Sequence, residues 1–122
     1  MTVPRLLHVA VLGALVATAS AVASPGATRL NGSVGPGFTI SLTSAKGQKV
    51  KTLKPGRYTF VVTDRSASHS FVLEKSGGSF EKEITGVGFR GQKRLTVTLT
   101  KGKWEFYCEP HASSMHGDFR VA

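Results

Sequence analysis

Apolar and polar residues alternate along several short stretches of this chain, which is the pattern of β-strands that bury one face. Residues of one parity are bulky and apolar in four segments: Phe38, Ile40 and Leu42; Tyr58, Phe60 and Val62; Leu95, Val97 and Leu99; and Trp104, Phe106 and Cys108. Further strands are expected over residues 30–34, 71–73 and 80–85, with turns rich in Gly and Pro between them. This spacing predicts an all-β fold, a Greek-key β-sandwich of seven to eight strands.

The parity of two residues places them near each other in such a fold. Cys108 shares its parity with Trp104 and Phe106, in a strand that we expect to form a hairpin with its predecessor across the turn at 101–103. His69 opens the strand at 71–73 and shares the parity of its buried residues. Because the loops of a Greek-key sandwich gather at its two ends, His69 and Cys108 can meet although 39 positions separate them.

The loop that follows Cys108 adds further metal donors. His111 lies three residues after the cysteine and Met115 seven residues after it. A thiolate and imidazoles with a thioether select copper, and a His₂Cys plane with a weak axial Met is the pattern of a blue-copper electron-transfer site. Zinc fits less well, because a thioether suits it poorly. His116, directly after Met115, is the alternative axial donor.

Cys108 is the only cysteine in the chain, so it cannot form a disulfide within the molecule. The remaining roles are an intermolecular link, a buried inert thiol and a metal ligand. A metal thiolate would also protect the sulfur in an oxidising compartment. The neighbouring histidine and methionine favour the ligand role.

Residues 1–24 have the features of a signal peptide: Arg5, an apolar run over 6–19 and the small residues Ala21-Val22-Ala23 before Ser24. The run is too short and too rich in Ala to favour a transmembrane span. We expect cleavage after Ala23 and export to the periplasm or the extracellular space. The predicted organisation is a signal peptide at 1–23, a flexible lead-in at 24–31 and one copper-binding domain at 32–122.

The formal charge of the chain is +9, and it falls to +8 when Arg5 leaves with the signal peptide. Such a field steers a protein toward acidic partners or anionic surfaces, although it also serves solubility alone. Nucleic acid is not an expected partner, because the basic residues are scattered without a basic helix or interleaved aromatic residues. We expect a monomer that does not span the membrane.

The motif formed by His69 with Cys108, His111 and Met115 resembles that of the small cupredoxins, the plastocyanin and azurin superfamily of type 1 blue copper proteins. The resemblance covers residues 32–122 and implies a cupredoxin-like β-sandwich with one copper ion that cycles between Cu(I) and Cu(II). It further implies that His69, Cys108 and His111 bind copper in the equatorial plane and that Met115 is the axial ligand.

Two positions depart from that family. Cupredoxins often have Asn directly after the first histidine and Ser or Thr directly after the cysteine, a pair that ties the ligand loops together. Ser70 and Glu109 stand there in this chain. The expected substitute is a hydrogen bond from the Ser70 backbone N–H to the Cys108 sulfur.

The function implied by the resemblance is one-electron transfer between redox proteins, with the electron passing through the solvent-side edge of His111. A copper buffer or delivery protein outside the cytoplasm is the alternative, and a more open, exchangeable site would distinguish it. We do not expect an enzyme, because the copper oxidases and nitrite reductases of similar fold need further domains and His-x-His ligand sets. The chain contains no His-x-His sequence.

Overall fold

The structure is a computed structural model that describes residues 13–14 and 26–122. Its elements are β1 (Thr28–Val34), β2 (Ile40–Ser44), β3 (Thr52–Leu53), β4 (Gly56–Asp64), β5 (Phe71–Lys75), β6 (Glu81–Thr85), β7 (Gly91–Leu99), β8 (Gly102–Tyr107), a 3₁₀ turn (Glu109–His111) and β9 (His116–Val121). The expected signal peptide lies outside the described residues except for Gly13 and Ala14, so it stays a prediction. In the described ranges, no helix has the length and apolar character needed to cross a membrane.

The strands form two sheets that face each other across one core. One sheet has four strands in the order β2-β1-β4-β7, and the other has five in the order β3-β9-β8-β5-β6. This arrangement confirms the predicted all-β sandwich. The described residues contain nine strands, one more than the upper end of the expected range. Two of them lie where no strand was predicted: the two-residue β3 and β9, which follows the ligand loop. β1 begins at Thr28, within the expected lead-in, and pairs along its whole length with β4.

The predicted hairpin between the last two long strands is wrong. β7 pairs with β4 over nine residue pairs in the four-stranded sheet, whereas β8 pairs with β5 and β9 in the other sheet. The turn at 101–103 therefore carries the chain from one sheet to the other. The Trp104 indole N–H donates to the Thr100 carbonyl at 2.9 Å, which fixes this crossing.

The predicted apolar parities point into the core. Phe60, Phe71 and Leu99 are fully buried, and the rings of Phe71 and Phe106 stack in parallel with their centroids 5.6 Å apart. Each buried aromatic residue removes a large apolar area from water, and this burial is the main favourable term for a sandwich of this size. Phe38 is the exception to the prediction, since β2 starts only at Ile40 and the Phe38 side chain is 68% exposed.

Charge is distributed unevenly over the outer faces of the two sheets. Four acidic residues lie opposite one another across adjacent strands of the five-stranded sheet: Glu81, Glu74, Glu105 and Asp118. The outer face of the four-stranded sheet carries Arg29, Arg57 and Arg94 and no acidic residue. Like charges on directly opposed positions repel. Lys103 offsets part of this repulsion, since its ammonium lies 3.5 Å from Glu105 and 3.4 Å from Asp118.

Candidate metal centre

Two loops at one end of the sandwich bring three metal-binding side chains together. The β4–β5 loop carries His69, and the β8–β9 loop carries Cys108 and His111. The two histidine Nδ1 atoms are 3.2 Å apart, and the Cys108 Sγ lies 3.7 Å from the Nδ1 of His69 and 3.6 Å from that of His111. The predicted meeting of His69 with the C-terminal loop is therefore present in the fold.

The size of this triangle suits a single metal ion. Metal bonds to protein ligands measure about 2.0 Å for imidazole nitrogen and about 2.3 Å for thiolate sulfur, with zinc as the reference. Two such bonds span at most about 4.0 Å between two nitrogens and about 4.3 Å between nitrogen and sulfur. All three separations between the donor atoms fall below those sums, so one ion can contact all three atoms.

His69 is held in the tautomer that a metal ligand needs. Its Nε2 lies 2.7 Å from the carbonyl oxygen of Gly37. A carbonyl can only accept, so Nε2 carries the proton and the neutral ring keeps its lone pair on Nδ1, the atom that faces Cys108 and His111. The ring is 4% exposed, so the protein interior fixes its orientation.

Cys108 follows the last residue of β8 and is fully buried, on the same side as Trp104 and Phe106, as its parity predicted. The Ser70 backbone N–H donates to its Sγ at 3.4 Å. The Ser70 hydroxyl in turn accepts the Glu109 backbone N–H at 2.9 Å. Ser70 therefore joins the two ligand loops through both its backbone and its side chain.

Backbone hydrogen bonds close the loop from Cys108 to Met115. The Cys108 N–H donates to the Met115 carbonyl at 3.0 Å, and the Met115 N–H donates to the His111 carbonyl at 2.8 Å. The Met115 side chain is 1% exposed and belongs to the core. His116 begins β9 with an exposed side chain, pairs with Tyr107 and lines a shallow cavity on the outer face. The two candidate axial donors thus lie on opposite sides of the sheet.

Tyr107 precedes Cys108 and faces away from the core. Its hydroxyl donates to a Glu81 carboxylate oxygen at 2.5 Å. This hydrogen bond to a carboxylate, with a smaller contribution from burial, raises the pKa of the Tyr107 phenol well above its ordinary value. The phenol therefore stays protonated throughout the physiological range.

An aromatic residue that the sequence did not assign to the site covers its solvent side. The Phe38 ring meets the His111 ring edge-on, with centroids 5.0 Å apart and an angle of 83° between the planes, and lies 5.7 Å from the His69 ring. It belongs to the β1–β2 loop, whose Gly37 carbonyl binds His69. The Gly35-Pro36-Gly37 sequence before Phe38 was the available signal, because it favours a turn over a strand.

From the sequence, Arg65 beside the His69 loop and Arg120 after the ligand loop are the basic residues first expected near the ligand end. The structure brings only Arg65 there. Arg65 lies in the His69 loop, and its backbone N–H donates to the Val34 carbonyl. Arg120 pairs with Lys103 of β8 and Thr52 of β3, next to the last pair of β9. It is four residues beyond His116 along an extended strand, which corresponds to about 13 Å. The expectation for Arg120 is therefore wrong.

Comparison with known proteins supplies a family and a fold. The family described as copper binding proteins, plastocyanin/azurin family, matches residues 38–122. Curated protein sequences give no match. Rusticyanin from Thiobacillus ferrooxidans is similar in structure, with a TM-score of 0.52, 24% identity and coverage of 81% of this chain and 79% of that chain. A methionine-to-glutamine variant of rusticyanin has a TM-score of 0.52 and 23% identity, with coverage of 81% of this chain and 80% of that chain. A reduced tryptophan-to-tyrosine variant of amicyanin has a TM-score of 0.50 and 17% identity, with coverage of 84% of this chain and 88% of that chain. These structural likenesses show a shared fold.

Proposed function

Because this chain belongs to the plastocyanin/azurin family of copper-binding proteins, we propose that it is a one-electron carrier and not an enzyme. In this proposal one type 1 copper ion is bound by His69, Cys108, His111 and Met115. Bound copper supplies the change between Cu(I) and Cu(II), and the protein supplies a fixed donor set that serves both states. Rusticyanin, which is similar in structure, is a copper protein whose reduced form has been solved, and this supports a redox role.

The observation that carries the proposal is the convergence of three prepared donor atoms. The lone pair of His69 Nδ1 and the Cys108 sulfur point at the same space as His111 Nδ1. His69 is fixed by a hydrogen bond on its far side, and Cys108 by one from the Ser70 backbone. Fixed ligands cannot rearrange much when the charge of the metal changes, and a carrier benefits from small rearrangement.

The burial of Met115 supports its assignment as the axial donor. Its thioether lies in the core beside the Cys108 end of the sheet, whereas the His116 imidazole is exposed on the outer face. His116 would have to turn through the sheet to reach the other donors. The proposal therefore uses Met115 and leaves His116 at the surface.

His111 is the proposed exit for the electron. It is partly exposed, whereas His69 and Cys108 are buried, so a partner reaches the site most directly through the His111 edge. Exposed Pro110 and Ala112 flank it. A small apolar contact of this kind suits short-lived complexes with redox proteins. We propose that the protein works as a monomer in the periplasm or the extracellular space, which agrees with its N-terminal sequence and its single cysteine.

The alternative of a copper buffer is less well supported. A buffer or delivery protein needs donors that an incoming ligand can reach. Cys108 has no exposed surface here, and His69 and Met115 have almost none. This burial favours a metal that stays bound while electrons pass.

The proposal is tested by the visible and electron paramagnetic resonance spectra of the Cu(II)-loaded protein. We expect an intense thiolate-to-copper band with narrow hyperfine splitting, and reversible reduction by one electron. Cys108→Ser is the control: it should lose the band and bind copper at least about 100-fold more weakly, with a change in stability of about 1 kcal/mol. A band that survives in Cys108→Ser would contradict the ligand assignment. A colourless protein that holds only Cu(I) would favour the buffer.

A further inference from the structure

Access to the proposed copper site is restricted to one side. Among the four proposed ligands, Cys108 has no exposed surface, Met115 is 1% exposed and His69 is 4% exposed. His111 alone has intermediate burial. A water molecule, a chelator or a protein thiolate that exchanges with the ion must therefore approach beside His111.

Phe38 stands at this side of the site. Its ring contacts both imidazoles in tilted or edge-to-face geometry, at centroid separations that are typical of aromatic pairs. The same ring is 68% exposed, so it contributes little to the core. An aromatic side chain that packs on two metal-binding rings and otherwise faces water is poorly explained by folding stability alone.

The β1–β2 loop fixes Phe38 in this position. The Gly35 N–H donates to the Thr39 carbonyl at 2.9 Å, and the Thr39 hydroxyl donates to the Pro36 carbonyl at 3.0 Å. Gly37 has a φ of +69°, which side chains with a Cβ rarely adopt, and its carbonyl accepts the His69 Nε2–H. The loop that carries Phe38 is thus tied to a proposed ligand, which keeps the Phe38 backbone beside the site while His69 stays in place.

We infer that Phe38 is the gate of the copper site, the residue that sets how fast copper and small ligands enter and leave. The inference rests on the proposed function, because it assumes that copper lies between these donors. Exchange requires either that His111 swings away from the ion or that an incoming donor passes beside it. The Phe38 ring stands against both movements. Its removal should accelerate exchange about tenfold, which corresponds to about 1.4 kcal/mol of activation free energy.

The test is the rate at which the Cu(I)-loaded protein transfers its metal to excess bicinchoninate. Val87→Ala is the matched control for Phe38→Ala, because Val87 is 59% exposed and lies at the same end, in a loop whose Gly88 N–H donates to Ala67. We expect about tenfold faster transfer in Phe38→Ala, an intermediate rate in Phe38→Leu, which keeps an apolar cover, and the wild-type rate in Val87→Ala.

The spectrum of the Cu(II) form distinguishes a gate from a structural role. Phe38→Ala should keep the position and intensity of the thiolate band, because the four ligands remain. Transfer at the wild-type rate, or an equal acceleration in Val87→Ala, would overturn the gate. Loss of the band in Phe38→Ala would also overturn it, since Phe38 would then shape the ligand set itself. A wild-type protein without the band would instead overturn the proposed function.

Discussion

At the scale of single residues, the neighbours Met115 and His116 differ in position: Met115 is the proposed axial donor in the core, and His116 lies at the surface. Met115 ends the ligand loop inside the core, and His116 begins β9 on its outer face. In an extended segment successive side chains point to opposite faces, so only one of the two can face the other donors.

We predict that Met115→Leu keeps the blue colour and raises the reduction potential, because a weak donor that helps to stabilise Cu(II) is lost. A tenfold loss of preference for Cu(II) corresponds to about 59 mV, and we expect a rise of at least that order. The swap conserves volume, so it should cost less than about 1.5 kcal/mol in stability. Voltammetry of this variant and of His116→Ala is the measurement. A larger shift in His116→Ala would transfer the axial role to His116.

The residues with distinctive chemistry could be found from the sequence, and those that act through their position could not. Cys108 and His111 are marked by side-chain type and spacing. Phe38 continues the alternation of Ile40 and Leu42, so the pattern alone could not tell that the strand begins two residues later. The Gly37 carbonyl that orients His69 is a backbone atom, and residue type says nothing about where a carbonyl points.

At the scale of elements, Ser70 replaces the tie that Asn and Ser or Thr often make in the family. We predict that Ser70→Ala lowers the unfolding free energy of the copper-free protein by about 1 kcal/mol, the usual net contribution of one hydrogen bond. It should also loosen the contact between the two ligand loops.

Ser76→Ala is the matched control for this substitution. The Ser76 hydroxyl oxygen is buried without a hydrogen-bond partner, so its removal should be neutral or slightly stabilising. Urea unfolding of the two variants measures the difference. Equal effects of the two substitutions would mean that the hydroxyl of Ser70 contributes nothing beyond its volume.

The partners of the strands were harder to predict than the strands themselves. β7 and β8 are separated by a short turn, which usually indicates a hairpin, yet β7 pairs with β4 and β8 pairs with β5 and β9. Pairing depends on which faces are apolar and which edges are free, and the local sequence does not contain that information. β9 was missed for a related reason, because only Phe119 and Val121 are buried in it and the ligand loop hides its start.

At the scale of the whole molecule, the net charge of +9 hides a division of charge. Acidic residues gather on the outer face of the five-stranded sheet, and Arg65 lies by the site. An anionic reactant should therefore reach the site from the Arg65 side, and the position of a charge should matter as much as the total.

We predict that Arg65→Glu slows electron transfer to hexacyanoferrate(III) several-fold at low ionic strength, and that Arg120→Glu slows it much less. Both variants change the net charge equally, but Arg120 lies beyond about one Debye length along β9. Stopped-flow rates over a range of salt concentrations measure the effect, which should fade as salt rises. Equal decreases of the rate in the two variants would indicate that only the net charge matters. A rate that does not change with salt would mean that charge does not affect the approach of hexacyanoferrate(III) to the site.

The proposed copper ion would also cross-link the chain, which has a single cysteine and so forms no disulfide of its own. His69 and His111 are 42 positions apart, and they belong to loops on opposite sides of β5 to β8 in the chain. An ion bound to both cross-links the chain much as a disulfide would, in a protein that has no second cysteine. In the chain-entropy model, closing a loop of that length by a covalent bond raises the free energy of the unfolded chain by about 4 kcal/mol. Copper would thus stabilise the folded sandwich as well as act as its redox centre, and after its release the Ser70 hydrogen bonds would still join the two ligand loops.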